Sequence, residues 1–192
     1  MLEEVERAAA AAGGWEAVDL IAVGLGPGTF TGLRVGISTA RGLALSLGLP
    51  VRGVCTLDAL AAGIGEAEPE GERLAVLDGW RGEVFAALYA EDGGRIWEPA
   101  VYRPEDLAGR FGELSRPPLL AGSGAVRFRQ ELTRDGVRIA DDSDPVHRVA
   151  GRHACALAAA ATGPEPDGLS PIYLRPPDAE RWRERDASQR AG

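Results

Sequence analysis

A glycine-rich loop between a short apolar run and a helical pattern is the feature that most constrains this sequence. The loop is part of Gly24–Gly36, which reads GLGPGTFTGLRVG. Before it, Val18–Val23 has the apolar character of a buried strand, and after it Gly32–Leu47 has apolar residues at helical spacing. A strand, a loop and a helix in this order predict an α/β fold with a crossover helix between parallel strands.

The loop does not match the two best-known phosphate-binding motifs. The chain has no lysine, and Leu33 follows Gly32 where the P-loop motif requires a lysine. The dinucleotide fingerprint also fails, because its third glycine would fall on Thr29 or Thr31. A phosphate site made by backbone N–H groups alone stays open, so one hypothesis is a nucleotide-binding module that uses Gly24–Thr31.

Small residues continue from the loop into the helix at intervals of four. Gly32, Gly36 and Ala40 fall on one face, where they would let another helix approach closely. Because a glycine inside a helix costs about 1 kcal/mol relative to alanine, we expect a compensating contact there. The contact could be internal packing on the sheet or packing against a partner subunit.

Composition narrows the possible functions. The 21 basic residues are all arginine, 29 residues are acidic, and the net charge is −8. A chain this acidic is a poor candidate for binding nucleic acid across a broad surface by itself. The missing lysine excludes Schiff-base chemistry. The sequence has neither a long apolar run nor a signal-peptide pattern, and its two cysteines are isolated, so we expect a cytoplasmic protein that does not contact membranes.

The predicted elements divide the chain into two lobes and a tail. An amphipathic helix over Leu2–Ala12 and the strand–loop–helix unit fall in a first lobe, residues 1–64. Residues 65–175 are predicted to form a second lobe with a mixed sheet and helices. Within it, the sequence predicts a hairpin turn at Glu91–Gly94, a helix over Arg103–Leu114 and a long helix over Pro145–Ala161. Residues 176–192 are charged and are predicted to form a loose C-terminal tail.

No set of residues has the spacing of a catalytic or metal site. His147 and His153 would lie on roughly opposite faces of a helix, which predicts surface or capping roles. Cys155 would point away from His153, which disfavours a Cys–His nucleophile. Asp144 is predicted to cap the helix that follows it. We therefore predict neither catalytic residues nor metal ligands.

Beyond these patterns, the segment from Gly26 to Ala44 resembles the signature of the TsaB family, which takes part in tRNA threonylcarbamoyladenosine biosynthesis. The loop of that signature is formed here by Gly26, Pro27, Gly28, Thr29, Phe30, Thr31 and Gly32. Val54–Leu60, Asp78–Tyr89 and Pro171–Glu180 also resemble family segments, in the same order.

The resemblance implies a two-lobed actin- and sugar-kinase-like (ribonuclease H-like) fold. The family's first strand, with its Ile-Asp-Thr motif, and the hairpin after it are not found before the first helix, so we expect an incomplete N-terminal lobe. The resemblance also implies a non-catalytic scaffold subunit with no cofactor of its own. ATP and threonylcarbamoyl-adenylate would be handled by the partners, the ATPase TsaE and the catalytic paralogue TsaD, which together modify the adenosine beside the tRNA anticodon.

The family pairs with TsaD through its first two helices, which match Leu2–Ala12 and Gly32–Leu47 here. The resemblance thus implies a partner interface at Leu2, Val5, Ala9, Gly32, Leu33, Gly36 and Ala40. The same face is expected to support homodimers. Two alternatives remain beside the scaffold: the nucleotide-binding module, and an enzyme like the catalytic paralogue, glycoprotease-like or an acyltransferase, with or without a metal.

Overall fold

The computed structural model describes residues 2–134, 136–162 and 169–175. The α-helices of these residues are α1 (Leu2–Ala11), α2 (Phe30–Leu47), α3 (Thr56–Ala67), α4 (Pro104–Gly109), α5 (Ser123–Arg127), α6 (Arg129–Leu132) and α7 (Gly151–Ala160). The strands are β1 (Ile21–Gly26), β2 (Val51–Cys55), β3 (Arg73–Asp78), β4 (Val84–Tyr89), β5 (Arg95–Tyr102), β6 (Leu119–Ala121) and β7 (Arg138–Ile139). Short 3₁₀ turns cover Trp15–Ala17, Arg110–Glu113 and Pro145–His147.

The first sheet consists of β1 and β2, which run parallel, with Ile21 opposite Val51. The connection between them is α2, as the strand–loop–helix pattern predicts. The inner side of α2 packs on β1, where Ile37 and Ala40 meet Val23. In a separate apolar cluster, Val54 of β2 packs with Ala59 of α3 and Ala158 of α7, so both helices contact these strands.

The second sheet has the order β5–β4–β3–β6–β7 within the described residues. β3, β4 and β5 are antiparallel neighbours, whereas β6 and β7 extend the sheet in parallel from β3. The turn between β4 and β5 closes with the Ala90 N–H donating to the Gly94 carbonyl at 2.8 Å. This confirms the hairpin that the sequence predicts at Glu91–Gly94.

The two faces of the second sheet carry separate cores because side chains alternate along each strand. Ala87 and Tyr89 of β4 pack with Leu60 and Ile64 of α3 on one face. The other face packs against the chain from α4 to α6. Helix α3 spans the predicted division between residues 64 and 65, and it packs on the second sheet. The division into two lobes at that point therefore stays a prediction.

Three predicted helices have different bounds in the structure. The helix expected from Gly32 begins at Phe30. The helix expected over Arg103–Leu114 is α4 followed by a 3₁₀ turn. The long helix predicted over Pro145–Ala161 is wrong, because Asp144 caps only a 3₁₀ turn, Arg148 is extended, and α7 starts anew at Gly151. The predicted tail, residues 176–192, lies outside the described residues.

Candidate functional site

The signature loop (Gly26–Gly32) joins the end of β1 to the start of α2. Gly26 has a φ of +112°, a conformation that favours glycine. A Cβ at Gly26 would lie 3.0 Å from both the Ile172 carbonyl oxygen and Leu33 Cδ1. The Ile172 N–H also donates to the Leu25 carbonyl at 2.8 Å. Glycine at position 26 therefore allows the segment around Ile172 to pack directly on the loop.

Thr29, within the signature loop, is the N-cap of α2. Its hydroxyl accepts a hydrogen bond from the Gly32 N–H at 3.2 Å. A Cβ at Gly32 would lie 2.5 Å from that hydroxyl oxygen, so the cap itself requires glycine there. The structure thus gives Gly32 a local role, unlike the helix–helix contact that the spacing predicts.

The inner stripe of α2 is buried in the chain itself. Its members are Leu33, Ile37, Ala40 and Ala44, each at most 9% exposed. Leu33 and Ala40 were both expected beside the partner interface, but the structure places them against the chain's own core. The reason is that they lie at i, i+7, on the helix face that covers the sheet. These buried residues hold α2 against the sheet, whereas the exposed residues of α2 are the ones that a partner could contact.

An outer stripe lies on the opposite side of α2. It consists of Thr31, Val35, Ser38, Gly42 and Leu45, all exposed. Leu45 is 87% exposed and Val35 is 48% exposed; the five residues are uncharged, and the exposed Arg34 and Arg41 lie beside them. A Cβ built on Gly42 would meet no atom within 4 Å, so a neighbouring molecule could approach the backbone closely there. In the sequence these residues form a second set at helical spacing, beside the set of Gly32, Gly36 and Ala40.

The remaining predicted interface residues differ in exposure. Leu2 is 55% exposed, Val5 is half-buried and Ala9 is buried. Gly36 borders the outer stripe, is half-buried, and has no atom within 4 Å of a built Cβ. Leu2 and Gly36 are thus open to a partner, and contact at all of these residues stays a prediction.

A cleft of about 500 Å³ opens beside the signature loop. One wall is the loop itself, including Phe30. The other walls are the turn between β3 and β4, with Trp80, and the segment around Tyr173. The signature loop therefore faces the second sheet's hairpin turn across this cleft.

Both histidines are buried, with 8% exposure each, which corrects the predicted surface or capping roles. His147 Nδ1 accepts from the Gly122 N–H at 3.0 Å, so its Nε2 carries the proton and donates to the Asp141 carbonyl at 2.9 Å. His153 Nε2 lies 3.3 Å from the Glu66 carboxylate. His147 thus links three chain segments, because its ring can donate and accept at once. Within the described residues no three metal-ligating side chains come together.

A polar network ties α3 to the β4–β5 hairpin. Asp58 accepts from the Tyr89 hydroxyl at 2.7 Å and from Arg95 Nη2 at 2.6 Å. Burial, then the hydrogen bond to Asp58, raises the pKa of Tyr89. Burial, then the nearby Asp58 charge, raises the pKa of the Cys55 thiol, so this cysteine is the less nucleophilic protonated form. Cys155 is exposed.

Comparison with known proteins gives consistent matches. The model of the family "TsaD: tRNA N6-adenosine threonylcarbamoyltransferase" matches residues 1–132. The tRNA threonylcarbamoyladenosine biosynthesis protein TsaB of Escherichia coli is 33% identical over 171 residues, which are 82% of this chain and 71% of that protein. An uncharacterized protein of Mycobacterium leprae is 48% identical over 90 residues, but these span only 23% of its length and 47% of this chain.

The structural match covers most of the chain. YeaZ from Pseudomonas aeruginosa superposes with a TM-score of 0.72 and 28% identity, over 90% of this chain and 82% of that one. The predicted α/β class and its actin-like relationship are therefore confirmed. None of the helices among residues 2–134, 136–162 and 169–175 is long and apolar enough to cross a membrane.

Proposed function

The chain belongs to the TsaB group within the tRNA N6-adenosine threonylcarbamoyltransferase family, and from this premise we propose that it is a scaffold subunit without catalytic activity of its own. In this proposal it acts in the cytoplasm as part of the complex that adds threonylcarbamoyl to the adenosine beside the tRNA anticodon. The transfer itself belongs to a catalytic paralogue, TsaD. The ATPase TsaE handles ATP, and TsaB needs no cofactor.

The outer stripe of α2 is the observation that carries this proposal. Leu45 and Val35 lie on one exposed helix face, together with the small residues Ser38 and Gly42 and bordered by Arg34 and Arg41. Burying a leucine or valine side chain contributes about 1.5–3 kcal/mol, and small residues let two helix backbones approach closely. The stripe therefore suits a helix of a structurally similar partner. The catalytic paralogue offers such a helix, and so does a second copy of this chain.

The enzyme alternative is less favoured because two of its candidate side chains, His147 and His153, already have structural roles. Both ring nitrogens of His147 are engaged with backbone groups, and His153 is buried beside Glu66. Cys55 is buried with a raised pKa. The nucleotide-module alternative has one N–H group fewer beside Gly24–Thr31, because the Gly32 N–H at the start of α2 is donated to Thr29.

Reconstitution of the modification reaction tests the proposal. Purified TsaD and TsaE from the same organism are combined with threonylcarbamoyl-adenylate, ATP and tRNA, with and without this chain. Incorporation of labelled threonine into tRNA is expected only when the chain is present, and the chain alone should give none. Full incorporation in its absence would refute the scaffold role, and incorporation by the chain alone would establish an enzyme instead.

A further inference from the structure

The cleft beside the signature loop is lined by flat aromatic side chains. Phe30, Trp80 and Tyr173 lie on its walls and are each between 43% and 48% exposed. The rings of Phe30 and Tyr173 stack, with centroids 5.6 Å apart and an angle of 27° between their planes. Exposed large aromatics are costly in water, and three of them around one opening indicate a surface that stacks on a planar ligand.

The charged groups of the cleft have one sign. Among the described residues, the charged side chains that line it are Arg81 and Arg175. Arg175 is paired with Glu83 behind the wall. Arg34 lies next to the cleft, with its guanidinium 3.8 Å above the Phe30 ring and its Nε donating to the Tyr173 hydroxyl at 3.2 Å. On a chain of net charge −8, this local excess of arginine favours an anionic ligand.

The turn that presents Trp80 and Arg81 has an unfavourable backbone conformation. Their φ angles are +56° and +57°, and Gly82 follows at +77°. A side-chain-bearing residue in this region costs of order 1 kcal/mol or more, so two in succession need support. Asp78 supplies part of it by accepting the Trp80 N–H at 2.9 Å. The two residues held this way are the ones that contribute an aromatic ring and a positive charge to the cleft.

We propose that this cleft binds an unpaired nucleotide of RNA, its base against the aromatic side chains and its phosphate near the arginines. Sequence-tolerant binding of single-stranded RNA uses this combination of stacking rings and cationic groups. The proposal rests on the proposed function, because it gives the scaffold a contact of its own with the RNA substrate. It confines that contact to one cleft, in keeping with an acidic chain that is poorly suited to broad RNA binding.

The direct test is fluorescence anisotropy of the full chain with a fluorescein-labelled single strand of about ten adenosines, at low salt. Wild-type chain should bind it more tightly than a duplex RNA of the same length. Trp80→Ala should weaken binding at least about tenfold, and Trp80→Phe should restore most of it. Ile96→Ala is the matched control, since Ile96 is 45% exposed, close to Trp80 at 48%, and lies outside the cleft.

Several outcomes would overturn the proposal. Wild-type chain could fail to bind the single strand, or it could bind the duplex with the same affinity. Trp80→Ala could bind the single strand as tightly as wild type does. Finally, ADP could displace the single strand at ADP concentrations below the dissociation constant of that strand. The last would mark a mononucleotide site. A titration of Trp80→Ala with the catalytic paralogue separates the two proposals. Unchanged partner affinity leaves the scaffold proposal standing whatever the RNA result, whereas lost affinity would assign the cleft to the partner protein and overturn RNA binding.

Discussion

The Asp58 network allows one stability prediction to be worked out quantitatively. In the substitution Asp58→Ala, the Tyr89 hydroxyl loses its acceptor, and Arg95 loses Asp58 but keeps Glu98. Tyr89 is 2% exposed, so water cannot replace the carboxylate, and a hydrogen bond from a neutral group to a charged one contributes about 1.5–3 kcal/mol. The Arg95 and Asp58 side chains are 34% and 27% exposed, so solvent screening limits this pair to about 1 kcal/mol.

Together these contributions predict that Asp58→Ala lowers the free energy of unfolding by about 3 kcal/mol. Urea denaturation followed by circular dichroism measures it, and for a chain of this size the melting temperature should fall by about 6–12 °C. Glu98→Ala is the control, because Glu98 also pairs with Arg95 but is 76% exposed, and its loss should cost less than about 0.5 kcal/mol.

A double-mutant cycle isolates the buried bond. Tyr89→Phe removes only the hydroxyl, so Asp58→Ala should cost about 1.5 kcal/mol less in the Tyr89→Phe background than in wild type. Additive effects of the two substitutions would refute the reasoning. So would an Asp58→Ala variant as stable as Glu98→Ala.

Three further predictions follow from the local geometry and titration. Gly32→Ala should destabilise the chain by about 1 kcal/mol in urea denaturation because its Cβ collides with the helix cap, whereas Gly36→Ala, with no atom in the way, should be neutral or stabilising by up to about 1 kcal/mol; equal effects would contradict this. Tyr89 has a raised pKa in the folded chain, so its contribution is complete below about pH 10, where unfolded tyrosine titrates, and is lost as the pH rises further. The fall in stability above that pH should be smaller in Tyr89→Phe, and equal slopes would count against it. A thiol reagent at neutral pH should modify Cys155 rapidly and Cys55 only after unfolding, as mass spectrometry of the labelled peptides can check; rapid native labelling of both would show that Cys55 is not buried.

Local sequence signals predicted much of the fold. The end of α2 was predicted from Gly48, which adopts a φ of +67°, whereas its start at Phe30, after the Thr29 cap, lies two residues before the predicted Gly32. The β4–β5 hairpin follows from its turn residues. These features depend on residues that are adjacent in the chain, so they can be predicted from one sequence.

The remaining differences depend on tertiary contacts. The helix expected from Pro145 is interrupted because His147 turns inward to bond Gly122 and Asp141, which no local pattern indicates. The cleft brings Phe30, Trp80 and Tyr173 together from three distant segments. In α2 the burial of Leu33 and Ala40 depends on β1, because the helix face that covers the sheet is set by that strand and not by the spacing of small residues.

The central claim is that the outer stripe of α2 pairs this chain with its catalytic paralogue. Isothermal titration of wild type, Leu45→Glu and Ile96→Glu with that paralogue tests it most directly. Leu45 is 87% exposed, so the substitution leaves the fold intact but places a charge where a partner would bury an apolar side chain. We expect the dissociation constant to be at least about tenfold higher for Leu45→Glu than for wild type, and unchanged for Ile96→Glu. Undiminished affinity of Leu45→Glu would contradict pairing through this face.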